Sequence, residues 1–457
     1  MEESMIYSEN EILQYVEEND VKFIKLTFCD VNGKMKNISI LSSELAATFE
    51  RGARITAKKI KGFDAANGKD LFLFPDAGTM TLLPWRPQQG RVIRMFCYIR
   101  YADGTPFEGD GRYFLKKAMK EAIARGYCFR FGTSCEFTLF RTSESGKPLK
   151  KPHDYAGYCD IAPDDKGENI RRDVCLTMEQ MGIHPVSSRH ESGCGQHEID
   201  FNASSALKAA DTFLSFKSAV KSVAEIHGVH ASFMPKPIKD DCGNGMHISF
   251  SITRDSDLLD GASIEKSAVK SASAGLMKYI REFTLLTNST VNSYKRLGEF
   301  SAPRNIVWSS SEGSQLLRIP DEGTDTFVTL RAADCACNPY YVFGLIIYAA
   351  LEGIESGLEL PPENSGEELL PNDLSKAADA AEVSDFLKRY IPQNILSDMI
   401  AERRAEWKEY TGAYDKDAFE DKKYFYNPEV GESRQLLLAD GTPVIDDTGN
   451  QWKCIYH

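Results

Sequence analysis

A basic surplus, the features of a signal peptide in the opening residues, a membrane-length apolar run and a disulfide frame are not seen in these 457 residues. Its formal net charge of −13 excludes the cationic footprint that a phosphate polymer or an anionic lipid surface requires, so neither nucleic acid nor membrane is expected as a partner. The start, MEESMIYSENEILQYVEEND, is acidic and has no apolar stretch of the kind a signal peptide carries. The longest apolar run, Tyr340 to Leu351, falls short of the roughly 20 residues needed to cross a bilayer. These absences point to a cytoplasmic location. Eleven cysteines, an odd number without a repeating frame, read as reduced thiols. Cys335-Ala-Cys337 lacks a second Cys/His pair nearby and so makes a poor zinc site. There is no internal repeat and no low-complexity segment. What is present is an ordinary globular composition, 42% hydrophobic and 11% aromatic, in a chain long enough for two or three domains.

Residues 9 to 19 read as a short helix. VKFIKLTFCD and MKNISIL follow as two strands joined by the turn Asn32-Gly33-Lys34. Further short strands punctuated by Gly and Pro run to about residue 103, giving a small β-rich domain. DGTPFEGDGR is a turn-rich connector, and the helix after it can be capped by Gly126. Beyond it, long helices alternate with strands of one design. Phe129–Phe140 sets Cys135, Phe137 and Leu139 against Ser134, Glu136 and Thr138. Gln196–Phe201 puts Gln196, Glu198 and Asp200 on one face. Met246–Ile252 does the same with His247, Ser249 and Ser251, and Thr326–Arg331 with Thr329 and Arg331. Four strands, each apolar on one face and polar on the other, predict a curved antiparallel sheet backed by helices and lining a cavity. Helices are also read over 168–182 and 209–227, and long helices over 262–285, 338–356 and 383–410 would supply the backing. The tail from about Asn427 reads as an appended hairpin. The stretch Ser187–Ile252 gathers Glu191, Glu198 and His247 on short polar segments among apolar neighbours, the layout of a metal or phosphate site.

Several blocks occur in a shared order: FCDVNGKMKN, GFDAANGKDLFLFPD with LPW after it, DGTPFEGDGR, CEFTLF, RHESGCGQHEID, FMPKPI, GNGMH, NSYKRL and CNPYYVFGLIIYAALEGI. Through them the chain resembles type I glutamine synthetase over about residues 15 to 425. The resemblance implies an α+β protein with a β-grasp domain (1–103), a glutamine synthetase catalytic domain (104–426) and a C-terminal extension (427–457). It further implies a homo-oligomer, a dodecamer of two hexameric rings with active sites between neighbouring subunits. The implied reaction is ATP-dependent: glutamate is phosphorylated and ammonia displaces the phosphate, assisted by two Mg²⁺ or Mn²⁺ ions.

Carried over by position, Glu136, Glu191 and Glu198 match all three glutamates of one cation site. At the second cation site only His247 matches, and Ser134 and Thr329 stand where glutamates belong. Arg296 would hold the substrate carboxylate as a substrate-binding and catalytic residue. Arg318 and Arg331 would face the phosphates, Arg318 as a catalytic residue, and Gly243, His247 and Arg331 would also bind the substrate. Other positions depart from the family: Thr56 at the ammonium aspartate with Lys58 and Lys59 beside it, Ser301 at the flap glutamate, Ser249 at a histidine, Gly313 at an arginine and Cys242 at an asparagine. The expectation is one bound Mg²⁺ or Mn²⁺, with a second ion and ATP left open. The ligand is a glutamate-like amino acid, with a nucleotide also considered. Three functions are distinguished: a protein of this family that has lost efficient synthesis and binds ligands in a regulatory role, an active glutamate–ammonia or glutamate–amine ligase, and a single-metal reaction using Cys194 or Cys242.

Overall fold

The computed structural model describes residues 7–86, 89–254, 266–311, 313–320, 327–426, 434–435 and 453–454. The chain divides into a compact unit up to Trp407 and a second from Lys408. In the first, helix α1 (Glu9–Glu18) begins with Ser8 and Glu11 satisfying each other's backbone N–H groups, a reciprocal cap. A sheet follows, built from β1 (Val21–Cys29), β2 (Met35–Leu41), β3 (Ala53–Ile55), β4 (Leu71–Pro75), β5 (Thr81–Leu82) and β6 (Arg91–Tyr101), with helix α2 (Leu45–Arg51) between β2 and β3. Its order is β2-β1-β6-β4-β3, with β5 paired to β6. The β1–β2 hairpin forms as the sequence predicts, and β1 and β6 run parallel.

Helix α3 (Gly111–Ala124) leads into the second sheet. Its strands are β7 (Tyr127–Thr142), β8 (Pro148–Pro152), β9 (Pro185–His190), β10 (Gln196–Ser205), β11 (Val229–Ser232), β12 (Met246–Arg254), β13 (Trp308–Ser309), β14 (Leu317–Arg318) and β15 (Val328–Leu330). The order is β13-β14-β15-β12-β7-β10-β9, with β8 and β11 also on β7. All four alternating strands of the sequence reading therefore share one sheet, although the last is shorter than expected: Thr326 lies outside the described residues and Arg331 follows the strand. The sheet's apolar face packs on helices. Phe137 meets Phe216 of α5 (Ala206–Ile226) at 5.9 Å, and Phe131 stacks on Phe343 at 4.8 Å. Behind them lie α4 (Glu168–Gln180), α6 (Lys266–Thr287) and α8 (Pro339–Glu355), with the one-turn α7 (Ser293–Arg296) between the last two. Helices α6 and α8 pack through Gly275 and Gly353, because a Cβ on Gly275 would stand 2.2 Å from the Ala349 carbonyl oxygen.

One expected helix is two. The 383–410 segment breaks into α10 (Asp385–Tyr390) and α11 (Gln393–Gly412), after α9 (Leu374–Val383). Pro392 cannot donate a backbone hydrogen bond and pushes Ile391 into an extended conformation, φ −99° and ψ 128°. In the tail, Arg434–Gln435 pairs with Lys453–Cys454, and the rest of the expected hairpin lies outside the described residues. Among the described residues no helix is long and apolar enough to cross a membrane.

The two sheets are tied by buried polar contacts. Arg112 of α3 reaches Asp76 beyond β4 and Asp211 on α5, each at 2.9 Å. Asn338 accepts from the Tyr340 N–H at the start of α8 and donates to the carbonyls of Asp30 and Val31 after β1.

Candidate functional site

The polar face of the second sheet brings together most of the residues that the sequence singled out. Glu136 on β7 lies directly opposite Glu198 on β10. His247 on β12 lies opposite Ser134, two residues along β7 on the same face. Glu136, Glu198 and His247 each offer a ligand atom, and these atoms all lie within 4.8 Å of one another. The backbone enforces the approach of β12. Gly245 N–H donates to Glu136 Oε2 at 2.7 Å, and Gln196 Nε2 donates to the same oxygen at 3.2 Å and to the Gly243 carbonyl at 3.0 Å. A side chain at 245 would not fit, since its Cβ would fall 2.3 Å from the Arg296 guanidinium.

Glu191 directly follows β9 beside the same cluster, where sequence reasoning missed a fourth participant. Arg189, paired with Glu198 across β9 and β10, donates Nε to Glu191 at 2.9 Å, Nη1 to Asp200 at 2.7 Å and Nη2 to Glu198. A short polar strand such as PVSSRH gives little sign of which way an arginine points. The pairing with β10 decides it.

The electrostatics follow from this crowding. Burial, and then the neighbouring carboxylates, push Glu198 well above the usual carboxylate range, and burial raises Glu136 and Glu191 as well. Asp200 stays below that range, because hydrogen bonds from Ser134, Ser187 and Arg189 outweigh its burial. Burial, Arg331 and Arg296 push His247 down to about 3, so its imidazole is neutral at physiological pH. The donor set of two carboxylates and a neutral imidazole, already within 4.8 Å of each other, fits a divalent cation.

The second expected cation position is different. Ser134 and Thr329 contribute hydroxyls only, and the Thr329 hydroxyl is within hydrogen-bond distance of Ser249, 2.8 Å. Arg318 stands opposite Thr329 on β14. Arg331 follows β15, and its N–H donates to the Leu316 carbonyl at 3.0 Å. Arg296 is buried, donating to the carbonyls of Arg331, Ala332 and Ala333. Thr56, Lys58 and Lys59 sit exposed on the first sheet's side, in the turn after β3. Ser301 follows the exposed Phe300, in a loop anchored where Glu299 meets the buried Lys236 at 2.7 Å.

Neither thiol near the site is poised for attack. Burial and Asp241 hold Cys194 and Cys242 up at about 11, so both stay protonated near neutrality. Cys335 and Cys337 are buried and belong to no metal-competent group among the described residues.

Behind the carboxylates lies a second buried cluster that the sequence reading missed. His190 and His197 pair across β9 and β10. His190 contacts Asp154 at 2.9 Å, and Arg171 contacts Asp165 at 2.8 Å and His197 at 2.9 Å. The cluster is arranged in pairs, Asp154 with His190 and Asp165 with Arg171; burial works against a charged His190, but the contact with Asp154 raises it above its ordinary value. Alternation along GQHEID could have placed His197 on the face opposite Glu198, but nothing local in sequence joins it to Asp154, Asp165 and Arg171.

Known proteins match most of the chain. The family described as glutamine synthetase, catalytic domain, matches residues 108–422, and the family described as glutamine synthetase, beta-Grasp domain, matches residues 20–102. The chain belongs to the glutamine synthetase family. The glutamine synthetase of Clostridium saccharobutylicum is 39% identical over 425 residues, covering 88% of this chain and 96% of the relative. That of Methanosarcina mazei is 38% identical, covering 88% and 95%. Among solved structures, one described as "GmaS/ADP complex-Conformation 1" superposes with a TM-score of 0.78 at 26% identity, covering 90% of this chain and 98% of the other. The first sheet is thus a glutamine synthetase β-grasp domain, and the second is the curved sheet of the catalytic domain. Within that family framework, the acidic and histidine cluster on β7, β10 and β12 is a plausible metal centre on its own geometry.

Proposed function

We propose that this glutamine synthetase family protein does not carry out efficient ATP-dependent glutamine synthesis, and binds a glutamate-like amino acid or a nucleotide in a regulatory, non-classical role. The observation that carries the reading is the polar face around His247. Where two carboxylates would be needed beside the imidazole to hold a second hard cation, the strands offer Ser134 and Thr329, and the Thr329 hydroxyl is within hydrogen-bond distance of Ser249 at 2.8 Å. Hydroxyls are weak ligands for such an ion, so charge moving between phosphates would lack its counter-charge. The replacements at Thr56, Ser301 and Gly313 point the same way. The homo-oligomeric state, a dodecamer, and the cytoplasmic location are part of this proposal.

A second reading, a ligase joining glutamate to another amine, is favoured by the retained arginines Arg296, Arg318 and Arg331 and by the ADP-bound neighbour among solved structures. Phosphate release from ATP is the deciding assay, run with glutamate and a panel of amines beside ATP-binding calorimetry. The proposal expects no amine-dependent release. Turnover with ammonia at ordinary glutamine synthetase rates overturns it, and turnover with one organic amine alone selects the second reading.

A further inference from the structure

We propose that Arg189 is a built-in competitor at the carboxylate cluster: its guanidinium holds Glu191, Glu198 and Asp200 when no ion is bound, and it must leave Glu198 for a divalent ion to enter. The inference concerns this arginine rather than the reaction, so it is independent of whether synthesis survives.

The sheet register sets a row of charges. Arg189 on β9 lies opposite Glu198 on β10, which in turn lies opposite Glu136 on β7. The first two attract, whereas the second two repel, because like charges directly across a strand pair are destabilising. Glu136 takes uncharged donors, the Gly245 N–H at 2.7 Å and the Gln196 amide at 3.2 Å. Glu198 takes a charged one, Nη2 of Arg189. The same fork directs Nε to Glu191 at 2.9 Å, and Nη1 to Asp200 at 2.7 Å and the Ser187 hydroxyl at 3.2 Å. One guanidinium thus contacts three carboxylates.

Glu198 cannot serve the arginine and an ion equally well. It is 2% exposed, and it is one of the three residues whose ligand atoms lie within 4.8 Å of one another. An ion entering there needs lone pairs that the Nη2 donor engages, and the positive charge already on the carboxylate repels the incoming one. Arginine keeps its proton throughout the physiological range, so the contact is not relieved by titration. Motion can relieve it. Strand β9 is the last of its sheet, and the Arg189 side chain is 29% exposed. The long stem can stay against the strand while the charged head swings out to water.

The test titrates Mn²⁺ into full-length protein stripped with chelator. A residue that orients a metal's ligands by hydrogen bonding is worth about 10–100-fold in affinity, so an Arg189 that supports the ion predicts that R189Q weakens Mn²⁺ binding by that factor. A competitor predicts the opposite sign: R189Q binds about tenfold tighter or more. R189K should fall between, because a lysine's point charge does not reach three carboxylates in the fixed geometry of the fork. Stripped R189Q should melt below the unaltered protein, and saturating Mn²⁺ should close the gap. A second measurement needs no variant. Phenylglyoxal, which modifies accessible arginines, should label Arg189 several-fold faster in the Mn²⁺-saturated protein than in the stripped one, read by peptide mass spectrometry. Weaker binding in R189Q, labelling that slows or stays unchanged on loading, or no Mn²⁺ bound by either protein overturns the proposal.

Discussion

The buried pair of Asp154 and His190 makes stability depend on pH from both sides. Asp154 is 2% exposed and His190 fully buried, and they are 2.9 Å apart. Burial disfavours both charges, but the contact with His190 holds Asp154 down at about 2, and the contacts with Asp154 and the Glu191 carbonyl raise His190 above its ordinary 6.5. The lowered carboxyl contributes stability that is full above its ordinary 3.8 and is lost as pH falls toward about 2. The raised imidazole contributes stability that is full below 6.5 and is lost as pH climbs through its raised value. D154N leaves a buried imidazolium without its counter-charge, and the expected loss is about 3–5 kcal/mol near pH 6. Urea midpoints followed from pH 4 to 9 should also show a flatter alkaline slope in the variant, about tenfold less change in the folding constant per unit pH where one proton is no longer released. An unchanged slope would mean that His190 is neutral in the folded protein.

At the scale of elements, Asn338 joins the β-grasp sheet to the catalytic core by serving two partners at once. Its Oδ1 accepts the Tyr340 N–H at 3.1 Å at the start of α8, and its Nδ2 reaches the carbonyls of Asp30 and Val31 at 3.3 and 3.2 Å. N338A removes a helix cap and strands two buried carbonyls, an expected loss of about 2–4 kcal/mol by chemical denaturation. N338D keeps the cap and loses the donor, so it should fall between the two; if it matched the unaltered chain, the carbonyl contacts would carry nothing. This split between local and long-range roles also marks what could be read from sequence. The alternation of Cys135, Phe137 and Leu139 against Ser134, Glu136 and Thr138 was legible because a strand's two faces are set by a period of two, and the same holds for β10 and β12. The strand β9 was not, because PVSSRH alternates weakly, and so Arg189, the charge that reorganises the carboxylates, went unseen. The helix break at Pro392 was written in the sequence as a proline and was overridden there by the apolar periodicity around it.

For the whole molecule, the open question is whether the His247 side of the cavity can be made to hold a second cation again. Ser134 lies opposite His247, and Thr329 lies opposite Ser249 one strand further on, so glutamates at 134 and 329 would extend from the same polar face on either side of the imidazole. The backbone there is in regular antiparallel pairing, which a longer side chain does not disturb. The combined substitution S134E with T329E would place two new carboxylates beside a part-exposed histidine, and without a counter-ion they should repel each other and lower the melting temperature. Added Mn²⁺ should reverse that loss, and the bound ion count should rise from one to two per chain. If loss of the second cation is what separates this protein from synthesis, ATP-dependent phosphate release with glutamate should rise by about tenfold or more in the loaded variant, since one electrostatic contact to a developing charge is worth 10²–10³ in rate where the remaining machinery is intact. A variant that binds two ions and still releases no phosphate would place the deficit elsewhere, at Ser301 and Thr56, and would make the dismantled cation position a consequence of lost synthesis rather than its cause.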